Sequence, residues 1–142
     1  MPAIYVYAYR SAGSYLISNN TLLNNKATYA ILVETSPDYE TLSVSIYNNT
    51  LINNTATEDQ RATIKVTGSY KTVMKCNVLS NPSNQYEFHS AVSNSGGKRF
   101  DISPNYWGFI TDADVLRRIY DYRDSSGLGP TTYFPFLTSS SW

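Results

Sequence analysis

The chain has 142 residues, the length of one domain, and its 11 basic and 11 acidic side chains balance to a formal net charge of zero. That balance argues against an electrostatic nucleic-acid binder, which carries a basic patch. Cys76 is the single cysteine, so an internal disulfide and a cysteine zinc site are excluded, and no apolar run reaches the roughly 20 residues of a membrane span.

The first ten residues, MPAIYVYAYR, lack a basic region leading into a long apolar core and are therefore no secretory signal. They read as a strand that starts abruptly, as in a piece of a longer solenoid. Ile4–Ala8 is the first predicted strand. Ile4, Val6 and Ala8 share one parity and Tyr5, Tyr7 and Tyr9 the other, so an inward aliphatic set leaves a row of tyrosines outside. Such a row suits sugar or protein contact, or packing against a neighbour. Tyr15–Ser18 follows as a second strand. The pair then recurs as Ala30–Val33 with Leu42–Tyr47, Ile64–Gly68 with Thr72–Lys75, and Tyr86–Val92 with Phe100–Ser103. Each pair is an apolar strand, a polar loop of variable length and another strand.

Every second strand runs into one short pattern. Asn20-Thr-Leu22-Leu-Asn24, Asn49-Thr-Leu51-Ile-Asn53 and Asn77-Val-Leu79-Ser-Asn81 share Asn-x-Leu-x-Asn, and Asn105-Tyr-Trp107 puts Trp in place of Leu. The intervals are 29, 28 and 28 residues, an internal repeat. A coil that rises one strand spacing, roughly 4.8 Å, per repeat stacks equivalent residues directly. The predicted fold is therefore all-β: a right-handed parallel β-helix of about four rungs, one domain over 1–142, with rungs in 1–110 and a closing segment in 111–142.

Period two places Asn20, Leu22 and Asn24 on one side, and leucine marks that side as inward. Stacked Asn20, Asn49, Asn77 and Asn105 can each donate to one neighbour and accept from the other, which makes them scaffold. The same parity assigns Asn53 to a second buried ladder and turns Asn19 and Asn48 to solvent. Of the three glycosylation sequons, those at Asn19 and Asn48 are predicted accessible but crowded, one rung apart, and that at Asn53 blocked.

Thr111–Tyr122 reads as a capping helix. Thr111 is its N-cap, Asp112 and Asp114 lie in the first turn, and Val115, Leu116, Ile119 and Tyr120 form an apolar stripe. Asp114 and Arg118 make an i, i+4 pair, Gly127 stops the chain, and Tyr133-Phe-Pro-Phe-Leu137 adds a last apolar segment. No comparable cap precedes Ile4, so further rungs or another chain are expected over that end.

At these residues a family pattern emerges. Asn105-Tyr-Trp-Gly108, the acidic helix, Ile119-Tyr-Asp-Tyr122, Leu128-Gly and Tyr133-Phe-Pro-Phe-Leu137 resemble the closing rung of right-handed, pectin-lyase-like β-helix proteins. With Asn81-Pro-Ser-Asn-Gln-Tyr86-Glu87 ahead of it, the stretch resembles a β-helix segment of the bark beetle (Anakonda) junction family, over roughly residues 46 to 137. That family comprises large animal transmembrane proteins of tricellular septate junctions, with scavenger-receptor and lectin-like modules. The resemblance implies extracellular adhesion or junction assembly. Gly127-Leu-Gly129 departs from the more polar stretch of the family.

Many β-helix proteins act on polysaccharides, but a fold alone assigns no chemistry. Hydrolysis needs two positioned carboxylates, and a calcium-dependent lyase needs several acidic ligands and a base. At one-rung spacing the acidic residues leave one cluster, Glu58, Asp59 and Glu87, with Arg61 nearby; its plain reading is a solvated loop before a strand. His89, the only histidine, lies in an apolar strand and suits a hydrogen-bonded structural role. Cys76 reads as an inert, half-buried thiol. Lys71 and Arg99, 28 residues apart, stack on one face, where they either meet an anionic partner or splay into water. No catalytic, cofactor or metal residue is assigned. The expected function is a non-catalytic extracellular structural or adhesion module, partnered by other rungs, modules or extracellular proteins. The alternative is a carbohydrate-active or carbohydrate-binding β-helix with glycan as partner.

Overall fold

Strands of two to six residues cannot bury an apolar parity alone, and coiling stacks each strand on its equivalent in the next turn. The computed structural model describes residues 1–8, 13–35, 42–58, 60–68, 71–91, 99–109, 111–121 and 123–140. The first rung contains β1 (Ile4–Ala8), β2 (Gly13–Ser18), β3 (Thr21–Leu23) and β4 (Lys26–Ala27). The second contains β5 (Ile31–Thr35), β6 (Leu42–Tyr47), β7 (Thr50–Ile52) and β8 (Thr55–Ala56). The third contains β9 (Ala62–Thr67), β10 (Thr72–Lys75) and β11 (Val78–Ser80), and the fourth β12 (Tyr86–Ser90) and β13 (Phe100–Asp101). α1 (Asp112–Leu116), β14 (Ile119–Tyr120) and β15 (Thr131–Thr132) close the coil.

The result is an all-β parallel solenoid of about four turns. Its first sheet has the order β1-β5-β9-β12-β14, its second β15-β13-β10-β6-β2, its third β11-β7-β3 and its fourth β4-β8. Every pairing is parallel, and the register aligns the core in columns. Ile4, Ile31, Ile64, Phe88 and Ile119 make one column, and Val6, Val33 and Val66 a second. Val44, Thr72 and Phe100 continue under Tyr15, Ile46 and Met74 under Ile17, and Leu51 and Leu79 under Leu22. The columns widen toward the closing end, where Phe88 and Phe100 meet edge to face at 5.9 Å and Trp107 is fully buried.

The bends decide the parity. Asn19, Asn24, Asn48, Asn53 and Cys76 have φ between 55° and 57°, the left-handed region that asparagine tolerates better than most residues. Each such residue turns the chain so that the next side chain points inward. Ile17, Asn20 and Leu22 therefore face the axis and Asn25 heads a second inward column, exposed on the open first rung, while Asn19 and Asn24 are exposed at their bends. This corrects the expectation for Asn53, which is exposed at its bend. The buried residue is Asn54.

The cap helix is also shorter than expected. Thr111 is the N-cap, its hydroxyl accepting from Asp114 N at 3.3 Å, but the helix ends at Leu116. Glu87 N and Phe88 N both donate to Arg118 O, at 2.8 and 3.2 Å, and Ile119 and Tyr120 pair with Phe88 and His89. The open backbone of β12 thus draws Ile119 and Tyr120 into the sheet. Asp114 pairs with Arg117 at 3.4 Å, leaving Arg118 to Glu87. β13 stops at Asp101, where the carboxylate accepts from Ser103 N and Oγ at 3.1 and 2.9 Å and turns the chain.

Gly68, with φ +95°, follows β9 and lies against the preceding rung; a Cβ there would stand 1.7 Å from Thr35 O. Both the dihedral and the contact forbid a side chain. Gly68→Ala is expected to cost about 3 kcal/mol or more, measured as the shift of the urea unfolding midpoint, or to abolish folding. A variant as stable as the parent would contradict this packing.

Candidate functional site

The polar residues that the fold gathers most densely are the asparagines at the bends. Asn20 donates its backbone N–H and its Nδ2 to Asn49 Oδ1, both at 3.0 Å. Asn49 does the same to Asn77 Oδ1 at 2.9 and 3.0 Å, and Asn77 to Asn105 Oδ1 at 2.9 Å for both. The second Nδ2 hydrogen of Asn49 reaches Ile17 O at 2.9 Å, and Nδ2 of Asn77 reaches Ile46 O at 3.0 Å. Each amide thus fastens three rungs and leaves no buried donor unpaired at a sharp bend.

A second ladder runs beside it, displaced one residue from the expected line. Asn25 donates to Asn54 Oδ1 from N and Nδ2 at 3.1 and 2.9 Å, and Asn54 to Asn81 Oδ1 at 2.7 and 3.0 Å. At the next level there is no asparagine. Glu87, 1% exposed, stands there instead: Oε1 accepts from Asn81 N at 2.6 Å and Oε2 from Asn81 Nδ2 at 2.8 Å. A carboxylate accepts but cannot donate onward, so the ladder ends at Glu87. Arg118 completes the closure, reaching Glu87 Oε1 at 3.0 Å and Asn81 O at 2.8 Å. Thr63 Oγ1 donates to Glu87 Oε2 at 2.6 Å and accepts from Asn84 Nδ2 at 2.9 Å. Pairing with Arg118 and three further hydrogen bonds together make burial of this charge tolerable.

The acidic cluster read from the sequence is divided among different surroundings. Glu87 is buried in the scaffold while Glu58 is exposed, and Asp59 lies outside the described residues. Asp121 is a structural acid that sequence reading missed. Fully buried, it accepts from Arg123 Nη2 at 2.6 Å and from Thr131 Oγ1 and N at 2.6 and 3.2 Å, tying the closing loop to β15. Its only sequence signal was Arg123 two positions away.

No family model, curated protein or solved structure matches the chain in the comparisons made. Function must be read from the residues themselves.

On the outer face of the first sheet, Tyr5, Leu32, Lys65, His89 and Tyr120 occupy successive rungs of one row, and Tyr7, Glu34 and Thr67 another. Tyr5 and Tyr7 are 48% and 62% exposed, as their parity required, with rings 5.9 Å apart, and the Tyr5 hydroxyl donates to the Glu34 carboxylate. Tyr9 is outside the described residues. Lys65 Nζ lies 5.3 Å from the centre of the buried Tyr29 ring. His89 is buried edge-on to Tyr120 at 4.8 Å, and its Nδ1 has no hydrogen-bond partner among the described residues. Burial, and then the nearby Lys65, lower its pKa to about 4.

The outer face of the second sheet carries a shallow groove of about 360 Å³ lined by Leu16, Ser45, Tyr47, Val73 and Lys75. Lys75 pairs with Asp101 across the rungs at 3.2 Å. Lys71 and Arg99, both exposed, precede β10 and β13 by equivalent offsets. Cys76 is half-buried at the bend position held by Asn19 and Asn48 in earlier rungs. Asn19 and Asn48 are exposed and directly stacked, Asn48 Nδ2 donating to Asn19 Oδ1 at 2.7 Å.

Two outcomes follow. Asn77→Ala removes a fully buried link, strands both donors of Asn49 and takes a donor from Ile46 O and Asn105 Oδ1, so it is expected to cost on the order of 3 kcal/mol or more in urea unfolding. Asn53→Ala, at an exposed bend, loses only left-handed tolerance, about 1 kcal/mol; a reversed ranking would refute the bend assignment. His89 supplies the second. Its folded pKa lies below the 6.5 usual for histidine, so the unfolded chain binds the extra proton and stability falls as pH drops from 6.5 toward 4. Relative to His89→Gln, the parent should lose roughly 2–3 kcal/mol across that window. Parallel pH profiles of the two proteins would refute it.

Proposed function

We propose that the chain is a non-catalytic extracellular module for structure and adhesion, a β-helix segment of a cell-junction-type protein that presents its outer rows to a partner. The observation that carries this reading is the commitment of Glu87. The one acid of the cluster set in the coil interior has both oxygens held by Asn81, Thr63 and Arg118, which commits it to the scaffold rather than to proton transfer. Tyr5 and Tyr7 offer exposed aromatic area on a rigid sheet, as contact surfaces do. Exposure of all three sequon asparagines, Asn19, Asn48 and Asn53, suits a secreted surface. The likeness of the closing rung to the bark beetle β-helix segments points the same way.

A second reading rests on the groove beside Tyr47, whose volume and apolar walls suit one or two sugar rings. Carbohydrate binding there would need no catalytic acid.

Beads coated with the recombinant chain, and a panel of glycans and uronate polymers, separate the readings. The adhesion reading predicts bead clustering or partner capture reduced at least several-fold by Tyr5→Ala/Tyr7→Ala, an unchanged thermal midpoint, and no polymer cleavage. Release of oligosaccharide from any polymer would overturn it. Saturable glycan binding abolished by Tyr47→Ala would move the function to the groove. Expressed through a secretory pathway, the chain should carry glycan at Asn53 and at only one of the stacked pair Asn19 and Asn48. Glycan on both of that pair with Asn53 bare would contradict the geometry.

A further inference from the structure

β1, β2, β3 and β4 are each the terminal strand of their sheet, and all four lie on the same end of the coil. The inward residues of this rung are less covered than those below: Tyr15 is 36% exposed where Val44 is 0%, and Ile4 and Val6 are half-buried over the fully buried Ile31 and Val33. Exposed strand edges over an apolar column invite a partner strand. What that partner must carry is written in the ladders.

Both ladders have a polarity. In each, the amide of one rung donates to the Oδ1 of the next, so every Oδ1 from the second rung onward receives two hydrogen bonds from the rung before it. Asn20 Oδ1 and Asn25 Oδ1 sit at the head of the two ladders and accept none among the described residues, although both asparagines donate from N and Nδ2 to the next rung. The opposite end offers nothing in return. Asn105 Nδ2 is spent on Met74 O and Ile102 O at 2.8 and 2.6 Å, and Asn81 on Glu87 and Leu51 O.

We propose that the first-rung face docks one further solenoid rung of the chain's own repeat type, with asparagines at both ladder positions, five residues apart. Asn20 and Asn25 are that far apart, as are Asn49 and Asn54, so one rung can fill both acceptors at once. A second copy of the chain cannot serve. Head to head it sets acceptor against acceptor, and head to tail it meets the closed end, where Glu87 and Arg118 finish the ladder. The proposal rests on ladder polarity alone and stands or falls separately from the adhesion reading.

The test joins a copy of residues 30–58 through a short flexible linker ahead of Met1 of the full chain, which makes docking intramolecular and independent of weak affinity. A matched version carries Asn49→Leu and Asn54→Leu within the copy only. The native copy is expected to raise the thermal midpoint by several degrees and to slow amide exchange in β1 and β2 at least tenfold, and the leucine version to do neither. Equal effects from both copies would show that any apolar cover suffices and would overturn the proposal, as would unchanged exchange with the native copy. Light scattering on the unextended chain is expected to give a monomer at low micromolar concentration. A dimer that protects β1 and β2 would make a second copy the occupant and would also overturn it.

Discussion

A bend in a parallel coil points backbone N–H groups into the interior, where no strand is available to accept them. The asparagine ladders solve that one problem, and the rest of the molecule follows from the solution. One Oδ1 takes both the backbone and the side-chain donor of the rung before it, and the remaining Nδ2 hydrogen takes a carbonyl of that preceding rung or of its own. The spacing of the ladder then equals the spacing of the sheets, so columns of isoleucine, valine and leucine align without further instruction. Buried amides in an apolar coil are tolerable only when all are paired, which makes the arrangement cooperative: a missing asparagine exposes defects in two rungs at once.

Such a ladder must be stopped deliberately, and this chain stops it with charge. Glu87 replaces the next asparagine with a group that accepts on both oxygens and donates on none, and Arg118 neutralises it while reaching Asn81 O and Asn84 O. The ion pair, with Arg118 side chain only 12% exposed, thereby turns a periodic structure into a finite one. The same commitment sets inside the scaffold the acid that a one-rung spacing had marked for chemistry. Asp121 does a parallel task for the second sheet, holding the loop that brings Thr131 under Phe100.

Much of this was legible in the amino-acid order. The recurrence of Asn20, Asn49, Asn77 and Asn105 gave the rung, and leucine two positions on gave the inward side, because a period-two strand leaves no other parity. The second ladder was misread by one residue for a definite reason. Asn24 and Asn53 occupy left-handed bends, which interrupt the alternation and hand the inward place to Asn25 and Asn54. The third rung lacks that bend residue, so Asn81 follows Asn54 by 27 positions rather than 28 or 29, a discrepancy visible in the spacing. The cap helix was overextended because Val115, Leu116, Ile119 and Tyr120 satisfy a helical stripe equally well. What decided was non-local, the unpaired edge of β12, and local periodicity cannot see it. The burial of His89 was likewise a matter of Tyr120 arriving from the next turn.

Side-chain amide exchange, followed by NMR on nitrogen-labelled protein, tests the ladder account most directly. Nδ2 protons of Asn49, Asn54, Asn77, Asn81 and Asn105 should exchange slowly, with opening free energies near that of global unfolding, while those of Asn19, Asn24, Asn48 and Asn53 exchange within minutes. Slow exchange at Asn24 and Asn53 with fast exchange at Asn54 and Asn77 would contradict it, because the bends and the ladders would then have traded places.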